Sequence, residues 1–225
     1  MRAFFLLTLL CHFTAAFSKE SVCFGTTGDG RLEGGVQLPS AGPNFVSYGG
    51  VPELLGRTYV HSKVRDVILA AYKRLEAEAP GKVFKFAETG AELGGEFSPH
   101  KTHQNGLSAD LMVPVKDPSG RSVHLPTHAL NRYGYDIEFD QNGRYDEYQI
   151  DFEALGAKIV ALHKSAAKYG IKIWRVLFEP KLQPHLYETR HGDYIRNNIL
   201  IPTKRSWVRH DDHIHVDFIV KCRAL

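Results

Sequence analysis

The chain has 225 residues, 43% of them hydrophobic, with 28 Lys and Arg against 25 Asp and Glu and a formal net charge of +3. That length suits one domain with a sizeable core better than two small ones. The near balance of charge gives no argument for a nucleic-acid-binding protein, although mild basicity would suit an anionic polymer.

The first 18 residues predict a signal peptide. Arg2 supplies a positive start, an apolar run covers 3–13, and small residues lead to a cleavage position after Ala16 or Ser18. A membrane anchor is the alternative, but the run is shorter than the roughly 20 residues that span a bilayer, and no later segment is long enough. We therefore expect export of a mature domain formed by 19–225.

Two cysteines remain in that mature domain, Cys23 near its start and Cys222 near its end. In an exported protein such a pair favours a disulfide, and two unrelated free thiols are the alternative. Neither cysteine has the spacing of a zinc knuckle.

The first half of the mature chain predicts an arm, a helix and two strands. Residues 19–50 are rich in glycine and have little periodicity, which favours an extended N-terminal arm. Apolar residues recur at helical spacing over 64–75, and Pro80-Gly81 ends the pattern. Residues 82–88 alternate like a strand, and a second strand is expected over 109–115.

The second half starts with a polar, turn-rich stretch over 116–150. An amphipathic helix is predicted from Asp151, a good N-cap residue, to Gly170. A strand follows over 171–178, then an irregular region with short helices, and a final strand over 213–220. Helices and strands interleave without regular βαβ spacing, so the expected fold class is α+β.

Two polar stretches, PHKTHQNGLSAD (99–110) and HDDHIHVD (210–217), combine histidine with aspartate. In the second, alternate residues from His213 share one face of the predicted strand while the residues between them point to the core. A polar loop and a solvated strand face are the alternatives. Together, His103, Asp110 and His215 offer two imidazoles and one carboxylate, which leaves a position for water and favours a catalytic zinc.

The stretches SPHKTHQNGLSADLMVPV and WVRHDDHIHVDF resemble the penicillin-insensitive murein endopeptidases. GPNFVSYGG and NRYGYDIEFD extend the resemblance over most of the mature chain. That family belongs with the lysostaphin-type, D-Ala-D-Ala and hedgehog-like metallopeptidases. The resemblance implies a small central antiparallel sheet flanked by helices, with the zinc site on the sheet.

The resemblance also implies roles for single residues. The family's zinc ligands match His103, Asp110 and His215, and a further histidine at the edge of its site matches His100, an auxiliary ligand. We expect one zinc per chain, since the region after the first motif has Asp140 but no histidine to support a second.

The remaining active-site histidines of the family match His210 and His213. We expect His210 to act as the general base and His213 to lie beside the metal. Asp211 and Asp212 are either partners that orient these imidazoles or part of a solvated charged loop.

The function implied by the resemblance is a periplasmic zinc endopeptidase that hydrolyses D-alanyl–meso-diaminopimelyl cross-links in peptidoglycan and that penicillin does not inhibit. One alternative keeps the zinc but makes the enzyme a D,D-carboxypeptidase or an L-alanyl-D-glutamate endopeptidase. Another is a zinc-stabilised cell-wall-binding module without catalysis. The expected partner is the peptide cross-link, with no nucleic acid and no membrane span, while the sequence leaves open whether an adaptor binds.

Overall fold

A computed structural model describes residues 20–225, so the predicted signal peptide lies outside the described residues. The strands within them are β1 Val22–Gly25, β2 Gly30–Glu33, β3 Val36–Gln37, β4 Phe45–Ser47, β5 Tyr59–Val60, β6 Phe84–Phe86, β7 Ser108–Met112, β8 Val115–Lys116, β9 Ser122–Val123, β10 Arg144–Tyr145, β11 Tyr148–Ile150, β12 Lys172–Leu177 and β13 His213–Ile219. The α-helices are α1 Gly50–Leu54, α2 Ser62–Glu78, α3 Phe152–Lys168, α4 Gln183–Tyr187 and α5 Gly192–Asn198. None of these helices combines the length and the apolar character that a membrane span needs.

The central sheet has five strands in the order β12-β13-β7-β6-β4. With the helices it confirms the α+β class. The sheet is antiparallel from β12 to β6, whereas β4 pairs parallel with β6 at one edge. The expected wholly antiparallel sheet is therefore incorrect at that edge, where the segment predicted to be an extended arm contributes β4.

Strands β7 and β13 pair in the middle of this sheet and bring the two predicted motifs together. Asp110 and His215 are directly opposite each other in the register. Neighbouring apolar residues, among them Leu111 and Val216, are fully buried in the core. Because side chains alternate across a strand, burying those residues presents Asp110 and His215 together on the other face.

Both predicted long helices are present: α2 extends beyond the predicted 64–75 pattern at both ends, and α3 begins at its predicted N-cap. The Oδ1 atom of Asp151 accepts a hydrogen bond of 3.1 Å from the backbone N–H of Ala154 and caps α3. Helix α2 packs against α3, and α3 also contacts β12. Their buried faces, including Leu75 and Leu155, belong to the same hydrophobic cluster as the central sheet.

Two predicted strands are shorter than expected, and a sheet was missed. The strand predicted over 109–115 ends at Met112, and Val115 begins β8 in another sheet. Pro114, which has no N–H to donate, separates the two. That other sheet has the order β10-β11-β8-β9 and occupies the stretch described above only as polar and turn-rich. Strand β6 covers Phe84–Phe86 alone.

The disulfide between Cys23 and Cys222 is present, as predicted. It joins β1 to the tail that follows β13. Beside it, the N–H of Arg223 donates to the Cys23 carbonyl at 2.9 Å, and the N–H of Gly25 donates to the Arg223 carbonyl at 2.9 Å. The disulfide and these hydrogen bonds therefore hold the tail that follows β13 against β1.

Candidate metal centre

The Asp110 carboxylate lies at the centre of a histidine cluster. Its Oδ1 atom is 2.8 Å from His215 Nδ1 and 3.4 Å from His103 Nε2. Its Oδ2 atom is 3.6 Å from His213 Nε2 and 3.8 Å from His100 Nδ1. The structure thus brings together all four residues predicted as ligands, and places His213 beside them.

Two of these imidazoles are held by a hydrogen bond on the ring nitrogen that points away from Asp110. The Nδ1–H of His103 donates to the Thr89 carbonyl at 3.1 Å, and the Nε2–H of His215 donates to Asp217 at 2.9 Å. Such partners fix the tautomer and direct the other nitrogen at a metal. Asp217 was placed on this strand face by the alternation in β13.

His100 is held in the same way by Glu88, a residue that the motifs did not identify. Glu88 accepts hydrogen bonds from His100 Nε2, from Arg57 and from the Tyr48 hydroxyl. Burial alone would raise the pKa of Glu88, but the hydrogen bonds from His100 and Arg57 prevail and lower it to about 2. Glu88 is therefore a permanent anion that keeps the Nδ1 atom of His100 turned towards Asp110.

The donor set fits a metal ion. His103 Nε2 is buried and has no hydrogen-bond partner within the described residues. An unpaired buried polar atom costs roughly 1–3 kcal/mol, whereas a lone pair in that place is what a metal ligand offers. The candidate ligand atoms of His100, His103 and Asp110 lie within 4.8 Å of one another.

The charges of the cluster favour an ionised carboxylate. Burial would raise the pKa of Asp110, but the neighbouring His103, His213 and His215 hold it well below its usual range. Burial would lower the pKa of His215, but Asp217 and Asp110 raise it to about 10. His215 is thus an imidazolium between two carboxylates, and it must release its Nδ1 proton to become a metal ligand.

His210 adjoins the cluster without touching Asp110. Its ring centroid is 5.0 Å from that of His213, and its Nδ1–H donates to the Val208 carbonyl at 3.1 Å. Burial, with the nearby charges of His213 and His215, lowers its pKa to about 3. His210 is therefore neutral near pH 7, with Nε2 as its basic nitrogen.

The two aspartates before β13 both accept hydrogen bonds from the protein. Asp212 accepts from His213 Nδ1 at 2.9 Å, and Asp211 accepts from the backbone N–H of Phe139 at 2.9 Å. Burial would lower the pKa of His213, but Asp212 and Asp110 raise it. Asp212 thus orients an imidazole, one of the two roles considered for it, while Asp211 fixes a loop.

The cluster forms part of the wall of an open cleft of about 960 Å³. One wall carries Lys101, whose Nζ atom lies 4.9 Å from the ring centroid of Trp207 on the opposite loop. Neither Lys101 nor Lys204, which also lines the cleft, has a carboxylate partner among residues 20–225. The cleft therefore combines a wall that carries the candidate metal ligands with two cations available to an anionic ligand.

Sequence reasoning missed three residues that support the centre: Glu88, Thr89 and Tyr135. Tyr135 donates its hydroxyl to Asp110 Oδ2 at 2.9 Å. Glu88 ends the KVFKFAE stretch, and Tyr135 lies in NRYGYD. A charged residue at the end of a buried strand was the one available signal, since neither stretch has the spacing of a ligand motif.

Comparison with known proteins gives one family. A sequence-family model described as penicillin-insensitive murein endopeptidase matches residues 23–224. No curated protein matches the chain. The matched residues include both histidine stretches and every side chain of the centre.

Proposed function

The chain belongs to the penicillin-insensitive murein endopeptidase family, and from this premise we propose that it is a periplasmic zinc peptidase. Its proposed substrate is the D-alanyl–meso-diaminopimelyl cross-link of peptidoglycan. One observation carries the proposal: the buried Nε2 atom of His103 has no hydrogen-bond partner within the described residues and faces the carboxylate of Asp110, which lines an open cleft.

Zinc is the metal that this donor set suits best. Imidazoles and one carboxylate, without a thiolate, are the ligands of catalytic zinc sites. His103, Asp110 and His215 would hold the ion, with His100 as an auxiliary ligand. Bound zinc would supply Lewis acidity, which polarises a carbonyl and acidifies water.

The chain's own histidines handle the proton and the developing charge. The Nδ1–H of His210 is occupied by the Val208 carbonyl, so the lone pair is on Nε2, and His210 lines the cleft. From there Nε2 can take a proton from the attacking water. His213, held by Asp212, points its Nε2 atom at the centre and can donate to the carbonyl oxygen.

The cleft suits a branched, anionic peptide. It is open enough to receive an internal cross-link, and Lys101 and Lys204 line it without carboxylate partners in the described part of the chain. Stem peptides carry free carboxylates, so these two cations favour a substrate of that chemistry.

Digestion of purified murein by the mature protein tests the proposal. Cross-linked dimers should fall and monomers with an intact D-alanyl end should rise, measured by chromatography and mass spectrometry of the muropeptides. Release of free D-alanine would indicate a carboxypeptidase, cleavage after L-alanine would indicate the other endopeptidase, and binding without products would indicate a non-catalytic module.

Inhibitors and a matched variant test the zinc in the same assay. A chelator should abolish cleavage, added zinc should restore it, and penicillin should have no effect. Asp110→Asn should be inactive, whereas Asp117→Asn, which changes a turn carboxylate paired with Arg121 outside the lining of the cleft, should behave as the wild type. Cleavage that survives exhaustive chelation would rule out the zinc mechanism.

A further inference from the structure

Tyr135 lies between the ligand cluster and the cleft, and the mechanism above gives it no role. Its hydroxyl donates to Asp110 Oδ2 at 2.9 Å and accepts from the backbone N–H of Glu88 at 3.3 Å. Its ring lies edge-on to His213, with centroids 5.0 Å apart. Both partners of the hydroxyl, the candidate ligand Asp110 and the Glu88 segment that holds His100, belong to the centre.

The Tyr135 hydroxyl makes the two oxygens of Asp110 different. Oδ2 receives the phenolic hydrogen bond, while Oδ1 faces His215 at 2.8 Å and His103 at 3.4 Å. A hydrogen bond to one carboxylate oxygen fixes the rotation of the group and draws charge to that atom. The other oxygen, Oδ1, remains on the side where the His103 and His215 imidazoles converge.

We propose that Tyr135 is a positioning residue for the metal centre: its hydroxyl fixes the Asp110 carboxylate so that Oδ1, together with His103 and His215, faces the metal. The inference rests on the proposed zinc peptidase function. It assigns a role to the NRYGYD stretch.

The backbone before Tyr135 is strained in a way that fits this role. Arg132 and Tyr133 have φ angles of 48° and 57°, in the left-handed region that non-glycine residues rarely adopt. Residues in such conformations are unfavourable by themselves and are retained where the surrounding structure requires them.

Two further contacts hold the strained segment. The Oδ1 atom of Asn131 accepts hydrogen bonds from the backbone N–H groups of His128 and Gly134, at 2.9 and 3.0 Å. Gly134 has a φ of 101°, and a Cβ atom there would lie 2.8 Å from the Cε atom of Met112 in β7. The turn is therefore pressed against the strand that carries Asp110, which delivers the Tyr135 hydroxyl to its carboxylate.

The test compares two variants that each remove one phenolic oxygen. Tyr135→Phe deletes the hydroxyl bonded to Asp110. Tyr133→Phe is the matched control, since the Tyr133 ring packs on Tyr48 and its hydroxyl makes no hydrogen bond within the described residues. Zinc affinity is measured on the metal-free mature proteins by competition with a chromophoric chelator.

We expect Tyr135→Phe to bind zinc about 10–100-fold more weakly, the usual loss when a partner of a ligand is removed, and Tyr133→Phe to match the wild type. The visible absorption of the Co²⁺-loaded protein should also change in Tyr135→Phe alone. Unfolding of the metal-free proteins by urea checks that Tyr135→Phe is folded.

Unchanged zinc affinity in Tyr135→Phe would overturn the inference, as would equal losses in both variants. A Tyr135→Phe protein that is less stable without metal but binds zinc normally would also overturn it, because the hydroxyl would then be structural. A wild type that binds zinc but releases no muropeptides would end the peptidase proposal and leave the role of Tyr135 standing.

Discussion

The histidines around Asp110 share one arrangement, in which a hydrogen bond holds one ring nitrogen and the other faces the centre. The acceptors differ: a carbonyl for His103, and carboxylates for His100 and His215. Fixing the rings beforehand means that little side-chain entropy is lost when a ligand binds. His210 is held in the same way, by the hydrogen bond from its Nδ1–H to the Val208 carbonyl. Its Nε2 atom, however, lies at the cleft and not against Asp110.

Bound zinc and turnover together should distinguish the predicted zinc ligands from the predicted general base. Replacing His103, Asp110 or His215 with Ala should lose both zinc and activity, because each contributes a donor atom. His210→Ala should keep near-stoichiometric zinc and lose on the order of 10²–10⁴-fold in rate, the usual contribution of a positioned acid or base. Bound zinc is measured by elemental analysis and turnover on a defined cross-linked muropeptide.

His185→Ala is the matched control, since the His185 ring nitrogen is hydrogen-bonded to the Gln141 carbonyl and the ring packs on Phe152 away from the centre. It should change neither quantity. A His210→Ala protein that arrives without zinc, or that keeps full activity, would show that His210 is not the base.

Which residues lie together around Asp110 could be predicted, but their supporting contacts could not. Histidine and aspartate in two short stretches identify donors by type and spacing. Glu88 and Tyr135 reach the centre through β6 and a strained turn, and no local pattern predicts a tertiary hydrogen bond between residues 25 positions apart, as for Tyr135 and Asp110.

The length of a helix or strand decided whether its sequence pattern could be recognised. The helices α2 and α3 have 17 residues each, enough to repeat an apolar face several times. Strand β13 alternates over 7 residues. The strands of the four-stranded sheet have only two or three residues, which show no period, so they were described as turns.

Helix α3 carries a buried lysine directly behind the Asp110 strand. Lys158 is fully buried, and its Nζ atom donates to the carbonyls of Met112 at 2.6 Å and Leu111 at 3.4 Å. Burial lowers the pKa of Lys158 to about 7. It packs α3 against β7 through polar contacts that an apolar side chain could not make.

The second prediction concerns stability and pH through Lys158. Between its folded pKa of about 7 and an unfolded value near 10.4, the unfolded chain holds a proton that the folded chain lacks. The unfolding free energy should therefore rise with pH over this range, by at most about 1.4 kcal/mol per pH unit. Below pH 7 this contribution is flat, because the lysine is protonated in both states.

Lys158→Met isolates this effect, since all other titrating groups remain. The wild-type minus variant difference in unfolding free energy, from urea titrations of the metal-free proteins, should increase between pH 7.5 and 9.5. For Lys164→Met, an exposed lysine on the same helix, that difference should stay constant. A constant difference for Lys158→Met as well would show that Lys158 does not titrate in this window.

At the scale of the whole molecule, the Cys23–Cys222 disulfide closes the chain into a covalent loop. It joins residues 199 positions apart, so the loop includes nearly all of the described domain and both histidine stretches. This pairing could be predicted because only two cysteines remain after the predicted cleavage. The partner of the C-terminal tail could not, since the hydrogen bonds between β1 and Arg223 involve backbone atoms that any sequence supplies.

The last prediction is that this closure stabilises the fold without shaping the centre. In the chain-entropy model, a loop of 199 residues contributes about 5 kcal/mol by restricting the unfolded chain. Replacing Cys23 and Cys222 together with Ser should lower the unfolding free energy by up to that amount. Zinc affinity should stay within about twofold, a difference of 0.4 kcal/mol, because β13 remains paired with β7 and β12 on both sides of His215.

Reduced wild type should match the variant in urea titrations, and the oxidised wild type is the reference. Equal stability of oxidised and reduced protein would contradict the energetic argument, and a variant that folds but loses zinc would show that the tail positions the centre.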